Sequence, residues 1–213
     1  MNNQNPTSNK ATIRLLGIGM ICAGLTANCA ADITYPEAPK NGEQTARKYI
    51  TPKFLQLPDV NNITIARPHQ TYGAGLRDLA AGHLLSVAKP FTWRYILVRD
   101  GSAVGDVLLN GGAPGAPLTF NSVERSDFAN ETLVALQKAE QLPQVKKQDY
   151  EVRYLEVAGA NFVALWLHAK SDDIIIPLGG TNPFHPYSET EIIKLLQPNA
   201  LRTLQETDNG KGG

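Results

Sequence analysis

Cysteine is scarce in this chain, and its position limits what it can do for the fold. The 213 residues contain two cysteines, Cys22 and Cys29, and both lie close to the amino terminus. A chain processed beyond Cys29 has no disulfide bond to support its fold, whatever the redox state of its compartment. Long apolar runs are missing as well, so no membrane-spanning helix of roughly 20 residues is predicted in the mature chain.

Acidic residues are absent before Asp32, where the charged side chains are those of Lys10 and Arg14. A short apolar stretch over residues 15–25 follows this basic flank, and small residues follow the stretch. This order predicts a secretory signal peptide over residues 1–31, with Cys29 and Ala31 as the small residues before the cleavage site. The mature protein then begins at Asp32 and is expected in the periplasm or outside the cell.

Two other fates of the N-terminal segment stay open. The first is an uncleaved membrane anchor, although a spanning helix needs about 20 apolar residues and the stretch over residues 15–25 is shorter. A lipid anchor at Cys29 is the second alternative, although Leu25 lies four residues upstream and Asn28 directly precedes the cysteine. Both features are out of register with a lipidation signal.

Charge gives no sign of a nucleic-acid partner. The chain has 20 basic and 20 acidic residues, and removal of Lys10 and Arg14 leaves 18 against 20, a net charge of −2. No basic stripe with interleaved aromatic residues occurs, so nucleic-acid binding is not predicted. Apolar residues make up 42% of the chain, which is enough for a sizeable core.

The composition divides the mature chain into three parts. Residues 32–62 are predicted to be an extended leader, because prolines at positions 36, 39, 52 and 58 interrupt regular structure. Residues 63–204 are predicted to form a single α+β domain. Residues 205–213 end in a polar, glycine-rich sequence and are predicted to be disordered.

Periodicity predicts two helix-hairpin units within that domain. A helix over 76–87 precedes a hairpin that turns at Asp100 and Gly101, and a helix over 126–142 precedes a hairpin over 150–169. A capping box from Ser188 to Glu191 opens a last helix, which Pro198 is expected to end. The predicted fold is therefore α+β, an antiparallel sheet with helices on one face and a C-terminal helix.

The two hairpins begin with a similar phrase, RYILV at residues 94–98 and RYLEV at residues 153–157. Successive side chains of a strand point to opposite faces. If the units are duplicated, Tyr95 and Tyr154 share one face of the sheet, and Arg94 and Arg153 share the other. Chance remains the alternative, because this composition is common in strands.

Residues 126–178 resemble the middle of a cystatin-type protease inhibitor. The likeness rests on a helix, a strand, the turn Val157-Ala158-Gly159 and a further strand after Asn161-Phe162. The resemblance implies a helix packed on a curved antiparallel sheet, and a Gln-x-Val-x-Gly hairpin that enters a protease cleft. Leu155 stands at the glutamine position here, and no later Pro-Trp pair occurs.

Candidate catalytic residues are few. His168 ends a predicted strand close to Asp172 and Asp173, and His185 lies in a later loop. A histidine with two carboxylates suits general base catalysis or metal binding, whereas a polar strand end with a solvated turn is the structural alternative. Because no His-x-His or His-x-x-x-His spacing supports a metal site, no metal or cofactor is predicted.

A glycine-rich and aromatic loop over residues 179–187 is the strongest candidate for binding. Two glycines let the backbone approach a ligand, and aromatic and polar side chains follow them. The alternative is a well-ordered connector. The candidate binding residues are Gly179, Gly180, Asn182, Phe184, His185 and Tyr187. A second glycine- and proline-rich loop over residues 110–117 is a further candidate contact.

Taken with the lack of a diagnostic catalytic motif, these features favour an exported, non-enzymatic protein-interaction or accessory envelope protein. Its expected partner is another envelope or secreted protein. The alternatives are a hydrolase or metal-dependent enzyme centred on His168, Asp172, Asp173 and His185, and a cystatin-like inhibitor.

Overall fold

The computed structural model describes residues 32–111, 117–125, 127–180 and 182–209. The predicted signal peptide with Cys22 and Cys29, residues 112–116 of the second loop and residues 210–213 of the tail lie outside the described residues.

The described residues form nine strands, five α-helices and one 3₁₀ turn. The strands are β1 Ile33–Thr34, β2 Thr64–Ile65, β3 His69–Gly73, β4 Lys89–Arg99, β5 Ser102–Asn110, β6 Thr119–Glu124, β7 Tyr150–Val157, β8 Phe162–His168 and β9 Asp173–Pro177. The helices are α1 Gly42–Arg47, α2 Pro52–Leu55, α3 Leu76–Ala80, α4 Asp127–Ala139 and α5 Glu189–Asn209, and the 3₁₀ turn is Ala158–Ala160.

All nine strands belong to one sheet, in the order β6-β5-β4-β3-β7-β8-β9, with β1 paired to β7 and β2 to β4. This confirms the predicted α+β class. The prediction of a purely antiparallel sheet is corrected, because β3 and β1 both run parallel to β7. The hairpins β4-β5 and β7-β8 form, but β3 lies between them and the two units are not neighbours.

Helices cover both faces of the sheet, not one face as predicted. Tyr154 packs in a core cluster with alanines of α4, whereas its neighbour Leu155 packs in a cluster with residues of α3 and α5. Neighbours along a strand point to opposite faces, so α4 lies on one face and α3 and α5 on the other. Trp93 and Tyr95 pack with α1 and α2 in a third cluster. Trp93 is in register with Gln70, and Gln70 with Arg153, so this cluster shares the α5 face.

The two copies of the Arg-Tyr phrase place their corresponding side chains on opposite faces of the sheet. Tyr95 lies on the α5 face, whereas Tyr154 lies on the α4 face together with Arg94. The guanidinium carbon of Arg94 lies 4.2 Å from the centre of the Tyr154 ring. The expected sharing of faces is therefore wrong: the arginine of one copy stacks on the tyrosine of the other.

The ends of the domain are more regular than their composition predicts. Within residues 32–62, Ala46 of α1 and Leu55 of α2 are fully buried, so this segment is part of the core. Helix α5 begins at the predicted capping box, where Ser188 and Glu191 exchange hydrogen bonds. It then continues through Pro198 to Asn209. Packing against α3 holds the helix together where proline removes one backbone hydrogen bond.

The cystatin-like arrangement is not confirmed. Leu155, which stands at the position of the family's glutamine, is fully buried. The turn that would project into a protease cleft packs against α3 instead, because a β-carbon on Gly159 would lie 2.9 Å from Cβ of Leu76.

A buried ion pair lies on the α4 face of the sheet. Nε of Arg94 on β4 donates to Oδ2 of Asp106 on β5, and the two side chains are 4% and 0% exposed. Burial raises the pKa of Asp106 to about 6, so the pair is ionised at neutral pH. Removal of one partner would leave an uncompensated charge in the core.

We expect Asp106→Ala to lower the free energy of unfolding by about 3–5 kcal/mol, because Arg94 would remain buried and charged. The double variant Arg94→Met/Asp106→Leu should lose far less, since it removes both charges and retains apolar volume. Urea denaturation at pH 7 measures both values. A cost for Asp106→Ala that does not exceed that of the double variant would contradict the role of the pair.

His69 on β3 is 1% exposed and lies opposite Arg94 in the sheet. Neither ring nitrogen has a hydrogen-bond partner among the described residues. Burial, and secondly the charge of Arg94, lower the pKa of His69 to about 3. The folded protein therefore keeps this imidazole neutral, while an unfolded chain protonates it near pH 6.5.

We predict that acid destabilises the fold through His69. As pH falls from about 6.5 towards 3, the unfolded state binds a proton that the folded state does not, which costs up to about 1.4 kcal/mol per pH unit. Asp106 acts in the opposite sense, because its raised pKa favours the folded state as pH falls below 6. The measurement is therefore the difference in unfolding free energy between wild type and His69→Phe at pH 7.5, 6 and 5. If this difference stays constant with pH, His69 is not the source of the acid sensitivity.

Candidate functional site

A pocket of 330 Å³ lies between the loop after β9, the 3₁₀ turn before β8 and helix α5. We call it the loop-helix pocket. It is lined by Ala160, Asn161, Phe162, Pro177, Gly179, Gly180, Asn182, Tyr187, Leu195, Leu196 and Asn199. Four of the six residues predicted from the sequence are thus brought together here: Gly179, Gly180, Asn182 and Tyr187.

Backbone geometry explains how the loop forms one wall of this pocket. Gly179 and Gly180 adopt φ angles of +77° and +80°, a region that glycine occupies without strain. The chain then turns back, and Tyr187 exchanges two backbone hydrogen bonds with Ile175 of β9, of 2.8 and 2.9 Å. Nδ2 of Asn182 donates to the Tyr187 hydroxyl at 3.0 Å. The loop is therefore attached to the outer edge of β9.

The chemistry of the loop-helix pocket is neutral. Its described lining includes no carboxylate, amine, imidazole or thiol, and its polar side chains are three asparagines and one tyrosine. Leu195 is 55% exposed at its rim. An asparagine amide both donates and accepts hydrogen bonds, as a peptide group does. The described lining therefore has groups for binding an uncharged polar ligand with apolar parts.

Phe184 and His185 are not among the residues that line the pocket. Phe184 has a φ angle of +65° and packs towards the α4 cluster, where Nζ of Lys138 lies 4.6 Å from its ring centre. His185 contacts the ring of Tyr187 edge to face, with centroids 4.6 Å apart. Phe184 therefore contacts the α4 cluster and His185 contacts Tyr187, and neither side chain lines the pocket.

Sequence reasoning missed the part of the pocket that comes from elsewhere in the chain. Leu195 and Leu196 are adjacent on α5, and Asn199 lies one turn further along the helix. Asn161 ends the turn before β8 with a φ angle of +49°. No local signal in the sequence marks the α5 wall, because the exposure of Leu195 is known only from the fold.

His168 and Asp173 form the second notable constellation. They are directly opposite each other on β8 and β9, and Nδ1 of His168 lies 2.8 Å from Oδ1 of Asp173. Nε1 of Trp166 donates to the same oxygen at 2.8 Å. The His168 side chain is 36% exposed. A carboxylate thus orients a solvent-accessible imidazole, which is the arrangement of a general base.

The other two members of the predicted catalytic group lie elsewhere. Asp172 accepts a hydrogen bond of 3.0 Å from the hydroxyl of Tyr150, whose ring packs in the α4 cluster, whereas Asp173 bonds to Trp166 in the α5 cluster. His185 contacts Tyr187. Across the described ranges, no group of three histidine, cysteine, aspartate or glutamate side chains is placed to hold a metal ion.

The second predicted contact, the loop over residues 110–117, is described at its ends. Asn110 ends β5, and its Oδ1 accepts a hydrogen bond of 2.8 Å from Asn121 of the edge strand β6. Tyr49 stacks on Phe120 of β6, with centroids 4.0 Å apart. A register shift between Leu108 and Leu109 interrupts the pairing of β5 with β6. Such irregularity makes an edge strand a poor template for further pairing.

The architecture defines a mixed α+β protein with helices on both faces of a single sheet. In the part of the chain that the structure describes, no helix has the length and apolar character needed to cross a membrane. Comparisons with protein-family models, with curated proteins and with solved structures found no match to this chain.

Proposed function

We propose that the chain is an exported, non-enzymatic protein that binds a neutral, extended peptide segment of another envelope or secreted protein in the loop-helix pocket. Export is supported by the order of charged, apolar and small residues before Asp32. A periplasmic or secreted location follows from that step.

The observation that carries the binding proposal is the combination of an apolar pocket with asparagine amides and no charged side chain. An apolar side chain of a peptide fits a cavity of 330 Å³. Side-chain amides at the rim can pair with the peptide groups on either side of it. A charged ligand would lose its hydration there without gaining a partner, so the pocket selects against it.

We predict that Leu195→Glu weakens partner binding at least about tenfold, because it places a charge at the apolar rim of the pocket. Leu201→Glu is the matched control, since Leu201 is 46% exposed on the same helix but does not line the pocket. The tagged full-length protein is expressed in its native host, cross-linked in the extracytoplasmic fraction and analysed by mass spectrometry. The affinity of the recovered partner is then measured for both variants.

Capture alone would not support the pocket, because any exposed surface can be cross-linked. Support requires that Leu195→Glu releases the partner while Leu201→Glu retains it. Equal binding by both variants, or recovery of the protein only from the cytoplasm, would overturn the proposal.

A second candidate function is hydrolysis, and the hydrogen bond between His168 and Asp173 favours it. Water would be the nucleophile, and His168 would remove its proton while Asp173 holds the imidazole in place. Support is weaker than for binding, because neither His168 nor Asp173 lines the loop-helix pocket.

If hydrolysis occurs, His168→Ala should lower its rate by about 10²–10⁴-fold, the usual contribution of a general base. His83→Ala is the control, because His83 is exposed and belongs to neither constellation. Both variants are assayed against a panel of chromogenic carboxylic and phosphoric esters. Turnover that is unchanged in His168→Ala, or absent from the wild type, would exclude this function.

A further inference from the structure

Asp32, which directly follows the predicted cleavage site, is held in place by a carboxylate. The backbone nitrogen of Asp32 donates to Oδ1 of Asp149 at 2.9 Å. The carbonyl oxygen of Asp32 accepts from the backbone nitrogen of Tyr150 at 3.3 Å, and the Thr34 hydroxyl donates to the carbonyl of Tyr150 at 3.1 Å. Strand β1 therefore binds to the beginning of β7 with Asp149 at its end.

A cavity and several charged side chains surround the same backbone nitrogen. A cavity of 290 Å³ is lined by Asp32, Ile33, Tyr35, Glu140, Val145 and Lys146. The carboxylates near this end of β1 are those of Asp149, Glu140 and Asp32 itself, and the cations are Lys146 and Arg67, whose guanidinium carbon lies 5.1 Å from the centre of the Tyr35 ring. The three carboxylates outnumber the two cations, so a positive charge on the Asp32 nitrogen would be stabilised there.

We propose that cleavage before Asp32 creates an α-ammonium group that forms an ion pair with Asp149 and thereby fixes β1 to β7 in the mature protein. This inference rests on the proposed export, which requires that cleavage. Hydrolysis of the amide between Ala31 and Asp32 by a signal peptidase consumes one water. It leaves a carboxylate on Ala31 and an ammonium group on Asp32, so atoms and charge balance.

Cleavage changes the chemistry of the Asp32 nitrogen. Before cleavage the nitrogen is a neutral amide with one hydrogen, and it already reaches Asp149. After cleavage it has three donors and a full positive charge, so the hydrogen bond to the Asp149 carboxylate becomes an ion pair. Maturation would therefore add the attraction of opposite charges to a contact that the precursor makes through a neutral donor.

The test compares one protein before and after cleavage. In a full-length chain, residues 28–31 are replaced by a sequence-specific protease site whose cleavage leaves Asp32 as the first residue. We expect cleavage to raise Tm by about 2 °C at pH 6.5, a value typical of an exposed ion pair in a domain of this size. In Asp149→Asn the increase should disappear. Asp59→Asn is the matched control, because Asp59 is also exposed and accepts one backbone hydrogen bond, from Asn61 at 2.9 Å.

A second readout separates the ion pair from a purely structural role of Asp149. The pKa of the new amino group, followed by NMR after isotopic methylation, should lie above the ordinary range of about 7.7–8.0 and return to it in Asp149→Asn. The gain in Tm should be present below that range and be lost as pH rises through the raised pKa of the amine. An unshifted amine pKa, or an equal gain in Asp149→Asn, would overturn the inference.

The mass of the amino-terminal peptide from protein made in the native host tests the export on which the inference rests. A peptide that begins at Asp32 supports export and cleavage at this position, and the effect of Asp149→Asn then decides the ion pair. A lipid-modified peptide that begins at Cys29, or a retained Met1, would overturn processing at Asp32, whatever the cleaved protein shows in vitro. A peptide that begins at Asp32 without any effect of Asp149→Asn would overturn the ion pair and leave export standing.

Discussion

The buried ion pair between Arg94 and Asp106, together with the stacking of Arg94 on Tyr154, joins the two hairpins of the sheet. Asp106 lies on β5, Arg94 on β4, and the guanidinium stacks on Tyr154 of β7, with β3 between them. A buried charge is tolerated only while its partner stays in place. This requirement couples the two hairpins. A shift of β4 against β5 would separate the two buried charges, and a shift of β3 against β7 would move the Arg94 guanidinium away from the Tyr154 ring. Small side chains of α4 then cover this face, because Ala129, Ala135 and Ala139 are all buried.

Local signals in the sequence predicted most of the strands and turns, whereas the helix predicted over residues 76–87 ends at Ala80, and the long-range pairing was not predicted. The hairpin turn at Asp100-Gly101 and the capping box at Ser188 each depend on residues within four positions of one another, and both are confirmed. The insertion of β3 between the hairpins and its parallel pairing with β7 join residues about 80 positions apart, for which no local pattern exists. The continuation of α5 through Pro198 has the same origin, since packing on α3 outweighs a local preference.

The candidate sites show the same difference between local signals in the sequence and contacts between distant residues. The glycine-rich loop is contiguous in sequence and could be recognised, whereas the α5 wall of the pocket became apparent only in the fold. The separation of Asp172 from Asp173, by contrast, follows from strand geometry, because adjacent residues at a strand end point to opposite faces. His168 is in register with Asp173, so one carboxylate and not two can orient its ring. A neutral binding pocket and a single His-Asp pair therefore remain as separate sites.

The pairing along the two edges of β7 shows why strand β1 matters to the fold. Strand β8 pairs with one edge of β7 from Glu151 to Val157, while β3 covers the other edge only from Arg153 to Glu156. Strand β1 pairs with the remaining part of that edge, at Tyr150 and Glu151. Two residues form few backbone hydrogen bonds, so the attachment of β1 depends on contacts at its ends, such as the one between Asp32 and Asp149. The beginning of β7 carries Tyr150, whose side chain is fully buried, and a securely held β1 keeps water from this part of the core.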